Sequence, residues 1–114
     1  MMPRCILPIL LLAHQAIAQN ITGTLLGTLR DSSGAAVSQA EVTLTEKNTQ
    51  ITTKGATDPA GAFQFPYLKP GPYSLRVSAP GFKSVLRDNI RISVDDRISL
   101  DIAMELGEVS TTVS

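Results

Sequence analysis

The chain has 114 residues, with ten Lys plus Arg against ten Asp plus Glu, one His, one Cys and no Trp. That length allows one domain and excludes a multi-domain enzyme or an outer-membrane barrel. The zero net charge argues against nucleic acid, because binding it draws on a basic surface that replaces counterions.

The chain opens with the pattern of a secretory signal peptide over residues 1–18. Arg4 supplies the positive start, Cys5 to Ala13 an apolar run, and Ala16-Ile17-Ala18 the small-x-small site, which places cleavage before Gln19. The apolar run falls well short of the ~20 residues that span a bilayer, so no membrane span is expected in the mature chain. Cys5 precedes the run instead of sitting at the cleavage site, which argues against a lipoprotein. The protein is expected to be exported, to the periplasm or into association with the outer membrane.

Cleavage would remove Cys5 and His14, the chain's one Cys and one His, and leave nine basic and ten acidic side chains. Residues 19–114 can then form no disulfide, no Ser-His-Asp triad, no Cys-His pair and no zinc site of the usual nitrogen and sulfur type. Asp95-Asp96 is the adjacent carboxylate pair. Neighbours on a strand point to opposite faces, so the pair reads as a solvated turn. The expectation is no enzyme, no catalytic residue, no metal and no cofactor.

Period-2 patterns dominate from there on. Ile21 to Arg30 is the first strand, with glycines at close-packing points, and Asp31-Ser32-Ser33-Gly34 a turn. Ala40 to Glu46 alternates, with Ala40, Val42 and Leu44 on one face. Ile51 to Thr57, mostly Thr, reads as a strand at a sheet edge. Asp58-Pro59-Ala60-Gly61 is a turn with Pro second and Gly fourth. Phe63 and Phe65 share one face of the next strand. Lys69-Pro70-Gly71 punctuates, and Tyr73, Leu75, Val77 and Ala79 then alternate inward up to Pro80-Gly81. A short strand is expected around Arg87 to Val94. Ile98, Leu100, Ile102 and Met104 alternate with Ser99, Asp101, Ala103 and Glu105 in the last strand.

About seven short strands, with a turn signal every 8–12 residues, predict a seven-stranded antiparallel β-sandwich. It would occupy residues 19–106, with residues 107–114 a tail or linker. All five aromatics lie between Phe63 and Phe82. Alternation puts Phe63, Phe65 and Tyr73 in the core. Tyr67 and Phe82 sit beside turns and are the candidates for an exposed ligand-binding surface at one end of the sandwich. Asp31 and Asp58 fit turns better than calcium sites. The arginines Arg87, Arg91 and Arg97, interleaved with Asp88, Asp95 and Asp96, read as a solvated edge that discourages aggregation, or as a partner-binding rim.

Two runs carry a resemblance. Gly27-x-Leu29-x-Asp31-x-x-Gly34-x-x-Val37-x-x-Ala40-x-Val42-x-Leu44 resembles the opening motif of the carboxypeptidase regulatory-like domain. Thr57-Asp58-x-x-Gly61-x-Phe63-x-Phe65-x-x-Leu68-x-Pro70-Gly71-x-Tyr73 and the alternation that follows, to Gly81-Phe82, resembles its second half. The resemblance implies a transthyretin-like sandwich, also classed as a carbohydrate-binding-like fold; it implies no peptidase. Gln39 departs from it, standing where many members have Gly. A signal, one such domain and a Gly-Glu-Val-Ser tail together resemble the start of a TonB-dependent outer-membrane receptor, where the domain precedes the plug and barrel. Those are missing here, which leaves a truncated or split reading frame, or a free-standing module. The partners this implies are a receptor plug or barrel or another envelope protein, with carbohydrate as the alternative ligand.

Overall fold

The computed structural model describes residues 21–107. The expected signal peptide and the tail beyond Gly107 lie outside the described residues. Seven strands follow in order: β1 (Gly23–Asp31), β2 (Glu41–Glu46), β3 (Thr52–Ala56), β4 (Ala62–Leu68), β5 (Gly71–Ser78), β6 (Val85–Ile92) and β7 (Arg97–Met104). They form a three-stranded sheet, β4-β1-β7, and a four-stranded sheet, β3-β2-β5-β6. The described residues are thus all β, in the expected two-sheet sandwich. β3 lies at a sheet edge as its threonines predicted.

One pair departs from the antiparallel expectation. β1 and β7 run parallel, in register from Thr24↔Arg97 to Asp31↔Met104. A parallel pair cannot be closed by a hairpin and needs a long crossover. Here β2 to β6 supply that crossover, because β1 and β7 are the first and last strands.

The core follows from alternation. Leu25 and Leu29 of β1, Val42 and Leu44 of β2, Leu75 and Val77 of β5, and Ile102 and Met104 of β7 are all buried between the sheets. Each such side chain contributes roughly 1.5–3 kcal/mol by leaving water. Phe63, Phe65 and Tyr73 join them, and the two phenylalanine rings lie 6.0 Å apart, tilted by 58°. Phe63 crosses β1 at Gly27, where a Cβ would stand 2.5 Å from the ring and 2.8 Å from the Leu100 carbonyl oxygen. Only glycine permits that approach. Ile98 and Leu100 are half-buried, because β7 is an edge strand with cover on one side only.

Two bulges interrupt the ladders. Between Gly23 and Leu25 of β1 stands Thr24; the facing stretch of β4, from Leu68 to Phe65, holds Pro66 and Tyr67. Ser74 of β5 likewise faces Asp88 and Asn89 of β6. The last two residues of the strand expected over Arg87 to Val94 instead start a turn. Ser93 donates its N–H to an Asp96 carboxylate oxygen (2.8 Å), and Asp96 donates its own to the Ser93 carbonyl (3.1 Å).

The pairing defines two ends. At the proximal end lie Ile21, the β2–β3 turn (47–51), the β4–β5 turn (69–70) and the β6–β7 turn (93–96), since Gly23 pairs with Leu68 and Gly71 with Ile92. At the distal end lie the connections β1–β2, β3–β4 and β5–β6, and Gly107.

Candidate functional site

The two aspartates weighed as calcium ligands are turn residues. One Asp31 carboxylate oxygen accepts from the Ser33 hydroxyl (2.6 Å), the Ser33 N–H (2.9 Å) and the Ala35 N–H (3.0 Å). The Ser33 hydroxyl first, and then the Ala35 N–H, hold its pKa below the ordinary value. Asp58 accepts from the N–H groups of Ala60 and Ala62, each at 2.9 Å. Among the described residues no three His, Cys, Asp or Glu side chains converge as metal ligands.

The structure separates the two candidate aromatics. Glu46 pairs with Tyr73 at the proximal end of the four-stranded sheet, and Glu41 with Ser78 at the distal end. Tyr67 lines a hollow with Glu46 and Tyr73, whereas Phe82 lines one with Glu41 and Ser78. They therefore do not form one surface at one end: β5 starts just after Tyr67 and stops just before Phe82, placing them a strand length apart. Phe82 is half-buried against the core and bridges to Leu106. The segment after β7 fastens it there, with Lys83 N–H to Glu105 O (2.8 Å) and Gly107 N–H to Gly81 O (2.9 Å).

Tyr67 is 83% exposed. The bulge explains this. Counting by twos from Phe63 and Phe65 would turn Tyr67 inward, but the extra residue in β4 lets Leu68 take the inward place. Tyr67 adopts φ +59, in the left-handed region. That conformation costs an ordinary residue about 1–2 kcal/mol.

The hollow beside it, about 200 Å³, is walled by Leu44, Leu68 and Tyr73 and rimmed by Ile51, Tyr67 and Lys69. Three of its polar groups, Glu46, Thr49 and the Tyr73 hydroxyl, are engaged, and the Thr53 side chain and Lys69 also line it. Glu46 accepts from the Thr49 hydroxyl and from the N–H groups of Asn48 and Thr49 (both 3.1 Å). Those bonds, the Thr49 hydroxyl foremost and with the Lys69 charge adding to them, pull its pKa below the ordinary value. The Tyr73 hydroxyl donates to the Lys69 carbonyl (2.6 Å). Burial, and then the Glu46 charge, push the Tyr73 pKa up. A larger hollow, about 480 Å³, lies on the three-stranded sheet, with Leu26, Gln64, Arg97 and Ser99 among its lining.

Sequence reasoning missed two residues, Thr57 and Ile51, and marked a third, Gln39. Thr57 is buried past the end of β3; its hydroxyl donates to Val37 O (2.7 Å) and accepts from Ala40 N–H (3.0 Å), tying the β1–β2 connection to the β3–β4 turn. Its place in a threonine-rich run hid it. Ile51 is exposed on the rim of the Tyr67 hollow. Gln39 holds φ +58, the conformation the absent glycine would take at ease.

The model of one family, the carboxypeptidase regulatory-like domain, matches residues 24–105. The TonB-dependent transporter Oar of Myxococcus xanthus is 33% identical over 104 residues, which cover 88% of this chain and 10% of the transporter. The chain therefore spans about a tenth of that relative's length. Among solved structures, the minor pilin of Streptococcus agalactiae superposes with a TM-score of 0.62 at 16% identity, over 82% of this chain and 48% of the pilin. A candidate carbohydrate-binding protein from Bacteroides uniformis superposes with a TM-score of 0.60 at 12% identity, over 73% of this chain and 41% of that one. At these identities the two likenesses show the sandwich fold alone. The family match spans both sheets from β1 to the end of β7, and on it this chain belongs to the carboxypeptidase regulatory-like domain family.

Proposed function

We propose that the chain is a non-catalytic, exported β-sandwich module of a TonB-dependent receptor, acting in the periplasm or at the outer membrane as a protein-interaction or spacer element in nutrient uptake. The single observation that carries this reading is the 33% identity to the transporter Oar across 88% of the chain. The chemistry of the residues agrees with it. Residues 19–114 contain no His and no Cys, so no side chain there has an ordinary pKa near neutrality for general base work. The partner is the receptor's own plug or barrel, or another envelope protein.

Deleting this module from an intact receptor that carries it tests the reading. Receptor abundance in the outer membrane is expected to persist while uptake of the receptor's substrate falls. Unchanged uptake would remove any active role.

A second reading, a small carbohydrate-binding module, is favoured by the exposed ring of Tyr67 and by the fold shared with the Bacteroides uniformis protein. Its expected signature is binding on a glycan array that weakens in Tyr67→Ala and Phe82→Ala. Binding that ignores both variants, or none at all, would end it.

A further inference from the structure

A sheet edge is a row of backbone donors and acceptors that invites a further strand. The edges here are β3, β4, β6 and β7. The first three carry devices that turn a strand away. β4 has Pro66 and its bulge. β6 has a bulge and the exposed Arg87, Asp88 and Arg91. β3 is five residues long, with Lys54 at its middle and Gly55 beside it. β7 has none of these. It holds eight residues without Pro, Gly or Lys, and its register with β1 is unbroken from Thr24↔Arg97 to Asp31↔Met104.

One bond identifies the open side of β7. Thr24 pairs with Arg97 and donates its N–H to the Asp96 carbonyl (2.8 Å). In a parallel ladder the bonds then continue through every second residue, Ile98, Leu100 and Ile102. The N–H and C=O groups of Arg97, Ser99, Asp101 and Ala103 therefore face away from β1. The side chains of the same four residues are exposed on the outer face. The Thr28 hydroxyl donates to one Asp101 carboxylate oxygen there (2.7 Å). Arg97 makes no ion pair with another described residue within 4.0 Å. Arg97 and Asp101 stand roughly 13 Å apart along the strand, too far to pair within one chain.

That charge pattern is complementary to itself. A second copy laid antiparallel about a two-fold axis keeps outer face beside outer face, so odd-numbered residues meet odd and even meet even. Centred on Ser99, Arg97 of each copy faces Asp101 of the other, and Ile98 faces Leu100. Centred on Leu100, Arg97 faces Ala103 and no charges meet. Centred on Asp101, the two Asp101 carboxylates stand opposite each other, which is unfavourable. Glu105, which would then face Arg97, has already left the ladder, its carbonyl accepting from the Lys83 N–H (2.8 Å). The neighbours of Arg97, Ser99 and Asp101 on β1 are Thr24, Leu26 and Thr28, so no β1 charge intrudes on the Ser99 register.

We propose that β7 is a self-pairing edge: two copies of the chain join antiparallel over Arg97 to Asp101, with the axis at Ser99, into one sheet ordered β4-β1-β7-β7-β1-β4. The self-pairing does not depend on the receptor reading above. The paired stretch is short, so the dimer is weak, with a Kd of about 0.1 mM.

Sedimentation equilibrium of the full chain over rising concentration tests this, and a monomer–dimer equilibrium is expected. Arg97→Asp and Asp101→Arg should each raise the Kd about tenfold, because each sets like charges opposite one another twice per dimer. Mixed together, the two variants should associate as tightly as the parent, since each then faces the other's opposite charge. Misfolding cannot produce that rescue. Ser99→Pro removes an N–H that faces solvent in the monomer, so it should abolish the dimer while thermal unfolding of the monomer persists. Amide exchange at Ser99 and Asp101 should slow as concentration rises. A chain that stays monomeric up to about 1 mM, charge variants that fail to rescue each other, or a dimer indifferent to Ser99→Pro would overturn the proposal. So would protection of the Ser99 and Asp101 amides at every concentration, which would mean that another part of the same chain covers this edge.

Discussion

The two ends of the sandwich solve the same problem differently. At the distal end, positive φ is carried mainly by glycines, Gly34, Gly61 and Gly81, and Asp31, Asp58 and Thr57 satisfy the turn backbone. At the proximal end it falls on Gln50, Tyr67 and Asp95, with apolar side chains left in water beside them. The distal connections follow the ordinary rules of turn chemistry. The proximal ones share them at Glu46 and Asp95 and depart from them at Gln50 and Tyr67. At Tyr67 the left-handed backbone belongs to the bulge that seats Leu68 in the core and turns the Tyr67 ring outward.

The sharpest way to break the distal end is Gly61→Ala. Gly61 sits at φ +77, and a Cβ there would lie 2.5 Å from the Leu29 carbonyl oxygen. Backbone against backbone cannot yield cheaply, so the loss should reach about 3 kcal/mol in urea unfolding. Thr57→Val comes next. It keeps the shape but leaves Val37 O and Ala40 N–H without their partner, for an expected loss of about 2 kcal/mol with an unchanged urea slope. Gln39→Gly, at the one distal position that breaks the rule, should raise stability by about 0.5 kcal/mol, the relieved strain exceeding the added chain entropy. Equal losses from a matching change at the exposed proximal residues would erase the distinction between the ends. Ile51→Ser and Tyr67→Ser are expected to stay within about 0.5 kcal/mol of the parent.

A pH titration compares the ends through one carboxylate each. Asp31 at the distal end and Glu46 at the proximal end both have pKa values lowered by turn hydrogen bonds. A lowered folded-state pKa means that the unfolded chain binds protons more readily. The stability contributed is fully present above the ordinary values, 3.8 and 4.5, and is lost as pH falls through the lowered folded values. Asp31→Asn should flatten that acid-side decline, and Glu46→Gln should do so independently. Carboxyl chemical shifts of the two residues in the parent give the midpoints directly, and values at or above the ordinary ones would contradict the assignment.

Much of the frame was legible. Strict alternation in β2, β5 and β7 identified the buried Val42, Leu44, Leu75, Val77, Ile102 and Met104. Asp31 and Asp58 announced turns because Asp followed by Gly at the right offset has few other uses. The bulges were not legible. The neighbouring turn marked Tyr67 as a candidate for exposure, but nothing local reveals that Pro66 and Tyr67 face a single residue of β1 and that Leu68 turns inward instead. The direction of β7 against β1 was equally hidden, since alternation records which face is buried and not which way the neighbour runs. β6 was found only in part. Its exposed Arg87, Asp88 and Arg91 serve an edge strand and obscure the period. The separation of Tyr67 from Phe82 needed the length of β5, which proximity in sequence to turns does not convey.

The parallel pairing of β1 with β7 has a mechanical side. The described chain enters at one end of the sandwich and leaves at the other, and its first and last strands are neighbours joined from Thr24↔Arg97 to Asp31↔Met104. Tension applied between the two termini pulls these strands in opposite directions along their length. Their rungs then bear the load side by side and must yield together, instead of opening one after another from a frayed edge. Strands threaded this way pass a pull applied at both ends along the axis of the sandwich and keep its length fixed under load.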